Sequence, residues 1–425
     1  MAPLDRPKLR LLAARRLEHM GQSFVVLEDP LRLCPNPVVL ALDVFNEVVR
    51  HFNGRNSLRD VQTLVLESTS QYLEMGAIRQ LVDQLDQALA LESPAYAVAV
   101  RSFLDATERP AALAGLSYAS EPKRLRSDLD RFFKARDGAG VLALPPPAAR
   151  NGDDDRSAKP RLRAIVSPHI DFPRGGPVYT WAYKTLVERS DADVFVILGV
   201  AHQHCRRRFV LTRKDFATPL GVVSTDREYV DRLAEAAGAH LFDDELTHRS
   251  EHSIEFQAVF LKHVLGDRPF TIVPILVGSF HDLMKRKADP ITDPEVERFI
   301  RALRRTELAS GRKVAYIGGI DLCHVGPEFG DPELVDAALQ NRIRAFDHEM
   351  LARAEAVDPV GWFRTASDVG DRWRVCGLAA AYTMLHVLGP SRGELLKYNQ
   401  AVDDRKTCCV SFASMVFHSV AAAVE

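Results

Sequence analysis

The chain has 425 residues and 14 histidines, and several of those histidines directly follow short apolar runs. Pro168-His169 follows RAIVS (163–167), Ala201-His202-Gln203-His204 follows VFVILGV (194–200), and Asp321-Leu322-Cys323-His324 follows VAYIGGI (314–320). Neutral imidazoles bind iron, copper or zinc, and an imidazole that titrates near neutrality also accepts or donates protons. One histidine after an apolar run is usually a satisfied structural residue, so it is the repetition that suggests a site. A second pattern, HRSEH at 248–252, matches the H-x-x-E-H signature of zinc peptidases, in which two histidines one helical turn apart hold the ion and the glutamate is the base. Both histidines must then share a helix. Thr247 and Ser250 are helix-starting types, and a helix beginning at Ser250 leaves His248 outside it, so a zinc hydrolase using His248 and His252 is the minor alternative.

The runs before these histidines must position them. Together with FTIVPILVG (270–278), they have the length and β-branched content of central strands buried on both faces, separated by longer helical stretches. That pattern predicts an α/β domain over 106–425, with a central, mostly parallel sheet flanked by helices. In such sheets, sites assemble beyond the carboxyl ends of the strands, where residues far apart in sequence converge. LAGLSYASEPKRLRSDLDRFFKA, from Leu113, reads as a turn and a helix. The segment 144–160, LPPPAARNGDDDRSAKP, lacks periodicity and is expected to be an exposed loop. Gly175-Gly176 and Gly318-Gly319 do not have phosphate-loop spacing and are read as tight turns or close backbone approach. Residues 1–105 predict a small helical or winged-helix domain: a strand from Ser23 to Leu27, then helices over Val38 to Phe52, Ser57 to Glu67 and Met75 to Leu91.

Composition narrows the function classes. Lys and Arg total 55 against 57 Asp and Glu, so no broad field exists to grip nucleic acid or anionic lipid. The first twenty residues lack a signal-peptide core and no apolar run reaches membrane-spanning length, which predicts a cytoplasmic protein. Six cysteines, at 34, 205, 323, 376, 408 and 409, lack zinc-ribbon or disulfide spacing and read mostly as buried thiols.

Six ordered blocks, SPHIDFPRGG, VILGVAHQH, TPLGVVSTD, EHSIEFQ, IVPILVGSF and IGGIDLCHVG, resemble the Memo family over about residues 112–422. That family shares its fold with the LigB-type class III extradiol dioxygenases. The resemblance implies that His169 and His202 are metal ligands. In Memo a cysteine near the C-terminus is the third ligand; here the matching stretch reads YNQAVDDRKTCCVSF, and alignment on its tyrosine and arginine puts Asp404 in that place, with Asp403, Cys408 and Cys409 as rivals. A carboxylate would complete the two-histidine, one-carboxylate triad of non-haem Fe(II) enzymes, whereas a cysteine would favour copper. His324 corresponds to the acid-base histidine of the dioxygenases. Asp321 either orients an imidazole, receives a substrate hydroxyl or caps the following backbone.

Glu251, His252 and Glu255, within EHSIEFQ, fall near the site by the same resemblance, the glutamates either hydrogen-bonding metal-bound histidines or lying on an exposed helical face. The SHAGSWY motif of Memo is ALAGLSY here, which keeps Tyr118 but puts Leu113 and Ser117 in place of a histidine and a tryptophan, so the pocket wall differs. Arg174 replaces an aromatic residue and is either an anion clamp or a surface arginine. The first hundred residues loosely resemble PqqD-like domains, which capture leader peptides along a strand edge. The expected function is a metal-dependent oxidoreductase of dioxygenase type, with Fe(II) first and copper or zinc as alternatives, acting on an aromatic or chelating small molecule or on a peptide held by the N-terminal module. The alternative is a non-catalytic peptide-binding scaffold, as discussed for animal Memo.

Overall fold

A computed structural model describes residues 4–142 and 160–420, so the loop expected at 144–160 lies, but for Pro160, outside the described residues. The chain forms two compact units, residues 1–106 and 107–425.

The first unit opens with the hairpin β1 (Ala13–His19) and β2 (Gln22–Glu28), and β3 (Val38–Ala41) pairs antiparallel on the other side of β2. The hairpin turns on Met20 and Gly21, both with positive φ, the geometry that matches strand twist across a two-residue loop. Helices α1 (Leu42–Glu47), α2 (Leu58–Thr69), α3 (Met75–Gln87) and α4 (Pro94–Asp105) follow. Strand β1 and helix α4 were not anticipated, and the helix expected from Val38 begins only at Leu42. Val38 to Ala41 instead pair with Phe24 to Leu27, because a β-branched segment beside a free sheet edge gains more as strand than as helix. Ser57 caps α2 and forms a reciprocal capping box with Asp60, as its residue type suggested.

The second unit is a mixed α/β fold built on an eight-stranded sheet. Its elements in order are β4 (Glu108–Arg109), α5 (Pro122–Lys134), β5 (Leu162–Ser167), α6 (Phe172–Arg189), β6 (Val194–Val200), β7 (Phe209–Leu211), β8 (Asp215–Phe216), α7 (Arg227–Ala237), α8 (His252–Leu265), β9 (Thr271–Val277), α9 (His281–Lys285), α10 (Pro294–Ser310), β10 (Val314–Gly319), β11 (His324–Val325), α11 (Ala337–Glu355), α12 (Pro359–Asp368), α13 (Leu378–Leu388), β12 (Ser391–Val402) and β13 (Cys409–Ser419). The four anticipated strands β5, β10, β6 and β9 lie side by side and parallel. The edges are antiparallel: β7 on β9, and β13 on β5, with β12 and β11 on β13. Both faces of the parallel strands are covered, which is why their sequences are continuously apolar.

Parallel order places the carboxyl ends of β5, β6 and β10 at one end of the sheet. Helix α8 starts directly above them. Ser253 Oγ accepts from Val200 N and donates to Val200 O at 3.0 Å, and Gln257 Nε2 donates to Pro168 O at 2.8 Å. Two glycines permit this approach: a Cβ at Gly199 would lie 2.6 Å from Ser253 Oγ, and one at Gly319 would lie 2.6 Å from Ser253 O. Gly319→Ala must therefore displace α8, a shift expected to cost about 1–3 kcal/mol. Urea denaturation checks this, and an unchanged midpoint would show that α8 yields without cost.

Candidate metal centre

His169 lies two residues beyond β5. Its backbone N–H donates to Asp321 Oδ1 at 2.9 Å, and its ring Nδ1 lies 2.8 Å from Gly319 O. A carbonyl only accepts, so Nδ1 carries the proton and the lone pair sits on Nε2. His202 lies two residues beyond β6, with its backbone N–H and its ring Nδ1 both directed to the Glu251 carboxylate at 3.0 Å. His252 is the first residue of α8, and its Nδ1 is 3.2 Å from Glu251 Oε1. Ligand atoms of these three rings lie within 4.8 Å of one another.

This arrangement fits a metal ion. His169 and His202 have Nδ1 hydrogen-bonded to a carbonyl and a carboxylate, which fixes the tautomer and aims Nε2, the arrangement typical of metal-bound histidines, and His252 Nδ1 lies beside the same carboxylate as His202. Glu251 is 4% exposed, and it also caps α8 by accepting from the backbone N–H groups of His252 and Ser253 at 2.8 and 3.1 Å. A single carboxylate thus starts the helix and orients two of the three rings. His169 is sealed inside, while His202 and His252 have side chains 35% and 33% exposed, so the cluster opens to solvent on their side.

Burial disfavours protonation of the rings. It pushes His169 and His252 down to about 3, so both are neutral donors at neutral pH. Burial acts on His202 as well, but the Glu251 charge and hydrogen bond outweigh it and leave that ring above its usual value. Burial raises the Glu251 carboxyl, yet His202, His252 and the bonds from His202 win and hold it well below the usual carboxylate range.

Three further groups border the cluster. Asp321 is buried, its Oδ2 is 3.6 Å from His169 Nε2, and burial pushes its carboxyl up to about 6 against the opposing pull of His324 and the backbone N–H groups of His169 and Ile170. His324 has Nδ1 3.1 Å from Leu322 O and its ring edge-on to Phe329, and burial lowers its pKa. Cys376 has its thiol 3.3 Å from His169 Nε2 and 3.5 Å from Asp321 O, and burial raises it well above the usual thiol range. Cys376 was not anticipated as a site residue. It belongs to RVCGL, just before α13, upstream of the tyrosine used to look for a C-terminal ligand.

Other anticipated residues lie elsewhere. Asp404 is exposed in the turn between β12 and β13 and is not among the converging ligand atoms; His252 is the third member instead. Asp403 folds back to accept from Cys408 N, Arg405 N and Thr407 Oγ1, so its carboxylate is used within that turn. Cys408 packs in an apolar cluster with Ile170, Val178 and Phe412, and Cys409 is buried among core residues. Glu255 does not reach the histidines. It is fully buried and bonds to Arg109, Tyr118 Oη and the backbone N–H groups of Ala112 and Leu113. Tyr118 is accordingly a buried partner of Glu255, stacked on Phe172. Arg174 forms an ion pair with Asp171 at 2.7 Å, in the first turn of α6. His248 belongs to a separate 3-10 turn, Glu245–Arg249, and its Nε2 donates to Val210 O at 3.0 Å. It is not in the converging group, which removes the zinc-peptidase arrangement with His252.

A sheet with two imidazoles beyond its strand ends, joined by a third from the start of the overlying helix, defines an α/β protein with a candidate metal centre. A family model described as Memo-like protein matches residues 109–416, and the chain belongs to that family. A MEMO1 family protein of Aquifex aeolicus is 26% identical over 423 residues, covering 97% of this chain and 100% of that protein. MEMO1 family proteins of Methanopyrus kandleri and Methanosarcina barkeri are 30% and 28% identical, covering 73% and 72% of this chain and 99% of themselves. The two archaeal relatives are thus matched almost end to end over less than three quarters of this chain, whereas the bacterial one is matched along both units. Among the described residues, no helix is long and apolar enough to cross a membrane.

His248 yields a pH prediction free of any metal. Burial pushes its folded pKa down to about 3, while an unfolded histidine titrates near 6.5. Below about pH 6.5 the unfolded chain therefore binds a proton that the folded chain refuses, and stability falls with acidification until pH reaches the folded value. His248→Gln, whose amide can still donate to Val210 O, removes that uptake. Its urea stability should fall less steeply between pH 6 and 4, by up to about 1.4 kcal/mol per pH unit. Parallel curves would show that the folded protein protonates His248.

Proposed function

We propose that this protein is a metal-dependent oxidoreductase whose ion is held by His169, His202 and His252. The observation that carries this reading is the convergence of three imidazoles, each with its Nδ1 beside a carbonyl or carboxylate oxygen. The sequence-based expectation of Fe(II) rested on Asp404 as a carboxylate ligand. With His252 in that place, three imidazole ligands suit iron, copper and zinc alike, and the neighbouring Cys376 thiol adds a softer donor. Electron transfer at the ion itself requires a redox-active metal such as iron or copper; zinc would confine the site to Lewis-acid catalysis.

A bound ion there would supply Lewis acidity and open positions for a chelating substrate and an oxidant. The chain's own residues do the rest. His324 keeps its proton on Nδ1 for Leu322 O, which leaves Nε2 as a base for a substrate hydroxyl. Asp321 holds the His169 backbone and, with its raised pKa, is suited to carry a proton near neutrality. The Phe329 ring packs perpendicular to that of His324, with 5.2 Å between their centroids.

For the N-terminal unit, the reading is peptide capture along β1. Every residue of β1 is exposed, β1 lies at an edge of its sheet, and a cleft of about 540 Å³ lined by Ser23, Phe24, Leu42 and Asn46 opens beside β2 and β3. A peptide is thus one candidate substrate, beside a small aromatic or chelating molecule.

Elemental analysis after anaerobic purification tests the centre. About one iron or copper per chain is expected, lost in His169→Ala and His252→Ala and retained in Asp404→Ala; an iron-loaded protein should also form a high-spin nitric oxide adduct. A chain that takes up none of iron, copper or zinc yet binds peptides would replace this reading with a scaffold.

A further inference from the structure

The loop that supplies Glu251 and His252 must be held rigidly if it is to aim two rings, and the holding group is a buried arginine from the start of the domain. Arg109 is 0% exposed, in the two-residue strand β4, which pairs with β8. Its guanidinium lies over the Phe216 ring with 5.1 Å between Cζ and the centroid. Nε donates to His248 O at 2.6 Å, Nη2 to Glu251 O at 2.8 Å and Nη1 to Pro110 O at 2.9 Å, and Nη1 forms an ion pair with Glu255 Oε2 at 2.6 Å. Those acceptors bracket the metal-site loop: His248 precedes it, Glu251 is its carboxylate, and Glu255 lies one helical turn beyond His252. Glu255 is fixed in turn by Tyr118 Oη and by the backbone N–H groups of Ala112 and Leu113.

We propose that Arg109, paired with Glu255, is a positioning residue of the metal centre: its planar fork sets the backbone of 248–255 and thereby the aim of the His202 and His252 rings. Lysine cannot replace this function. Its single ammonium can neutralise Glu255 but cannot span carbonyls on both sides of the loop, because it lacks the fixed geometry of five N–H donors. The inference rests on reading the cluster as a metal centre.

The test titrates Co(II) into the full-length metal-free chain, following visible absorption, alongside urea denaturation of each variant. Wild type should bind about one Co(II); if it binds none, it is the metal-centre reading that fails. Arg109→Lys should fold yet bind Co(II) about 10–100-fold more weakly, the usual consequence of losing a group that supports metal-bound histidines, with shifted absorption bands. Arg163→Lys is the control. It perturbs another largely buried ion pair, with Glu307, at the opposite end of β5 from His169, and should lower stability without changing Co(II) affinity or bands. Arg109→Lys binding within about threefold of wild type with unchanged bands would overturn the proposal, as would affinity losses in both variants that simply track their stability. Should Arg109→Lys fail to fold, Glu255→Gln, which keeps the guanidinium on its carbonyls but weakens its anchor, must show the band shift; unchanged bands there would overturn the proposal equally.

Discussion

The candidate centre depends on one buried carboxylate. Glu251 accepts hydrogen bonds from the backbone at the start of α8 and from the backbone and ring of His202, and the His252 ring lies 3.2 Å from it. An isolated carboxylate out of water would be costly and would take up a proton. Here the surrounding donors make the charged form the favoured one, and because those donors include two candidate ligands, satisfying the charge and building the site are the same act. The helix cannot start correctly without orienting the rings.

The rest of the domain serves that arrangement. The parallel strands bring His169 and His202 to the ends of the two strands that flank β10, and β10 delivers Asp321 and Gly319 O between them. Of the three rings, the inner one is tethered to the sheet and the outer two to the helix. Catalytic use of such a cluster requires an accessible side, and the partial exposure of His202 and His252 provides it.

Much of this was legible in the residues. Four apolar runs marked the parallel strands, and polar residues after three of them marked the correct end of the sheet. His252 was placed near the site but not in it, because its role depends on α8 beginning exactly one residue after the Glu251 cap, and sequence signals locate helix starts only to within a few residues. Asp404 was favoured by local alignment around Tyr398, but the β12–β13 hairpin ends in a solvent-exposed turn there. Cys376 and Arg109 were invisible for a different reason. A lone cysteine and a lone arginine carry no periodic or motif signal, and only the tertiary fold shows that one lies against His169 and the other behind Glu251. In the N-terminal unit, Val38 to Ala41 fit a helical pattern until β2 offered an edge to pair with.

The approach of α8 to Gly199 and Gly319 bears on how such a protein can change over evolutionary time. The helix rests through Ser253 and Gln257 on main-chain atoms of the sheet, so on the sheet side its height is set by backbone that amino-acid replacement leaves in place, apart from those two glycines. Walls made of side chains, such as the Leu113 and Ser117 region, remain free to drift. A lineage can therefore exchange the molecules it accepts while inheriting the cradle beneath them unchanged.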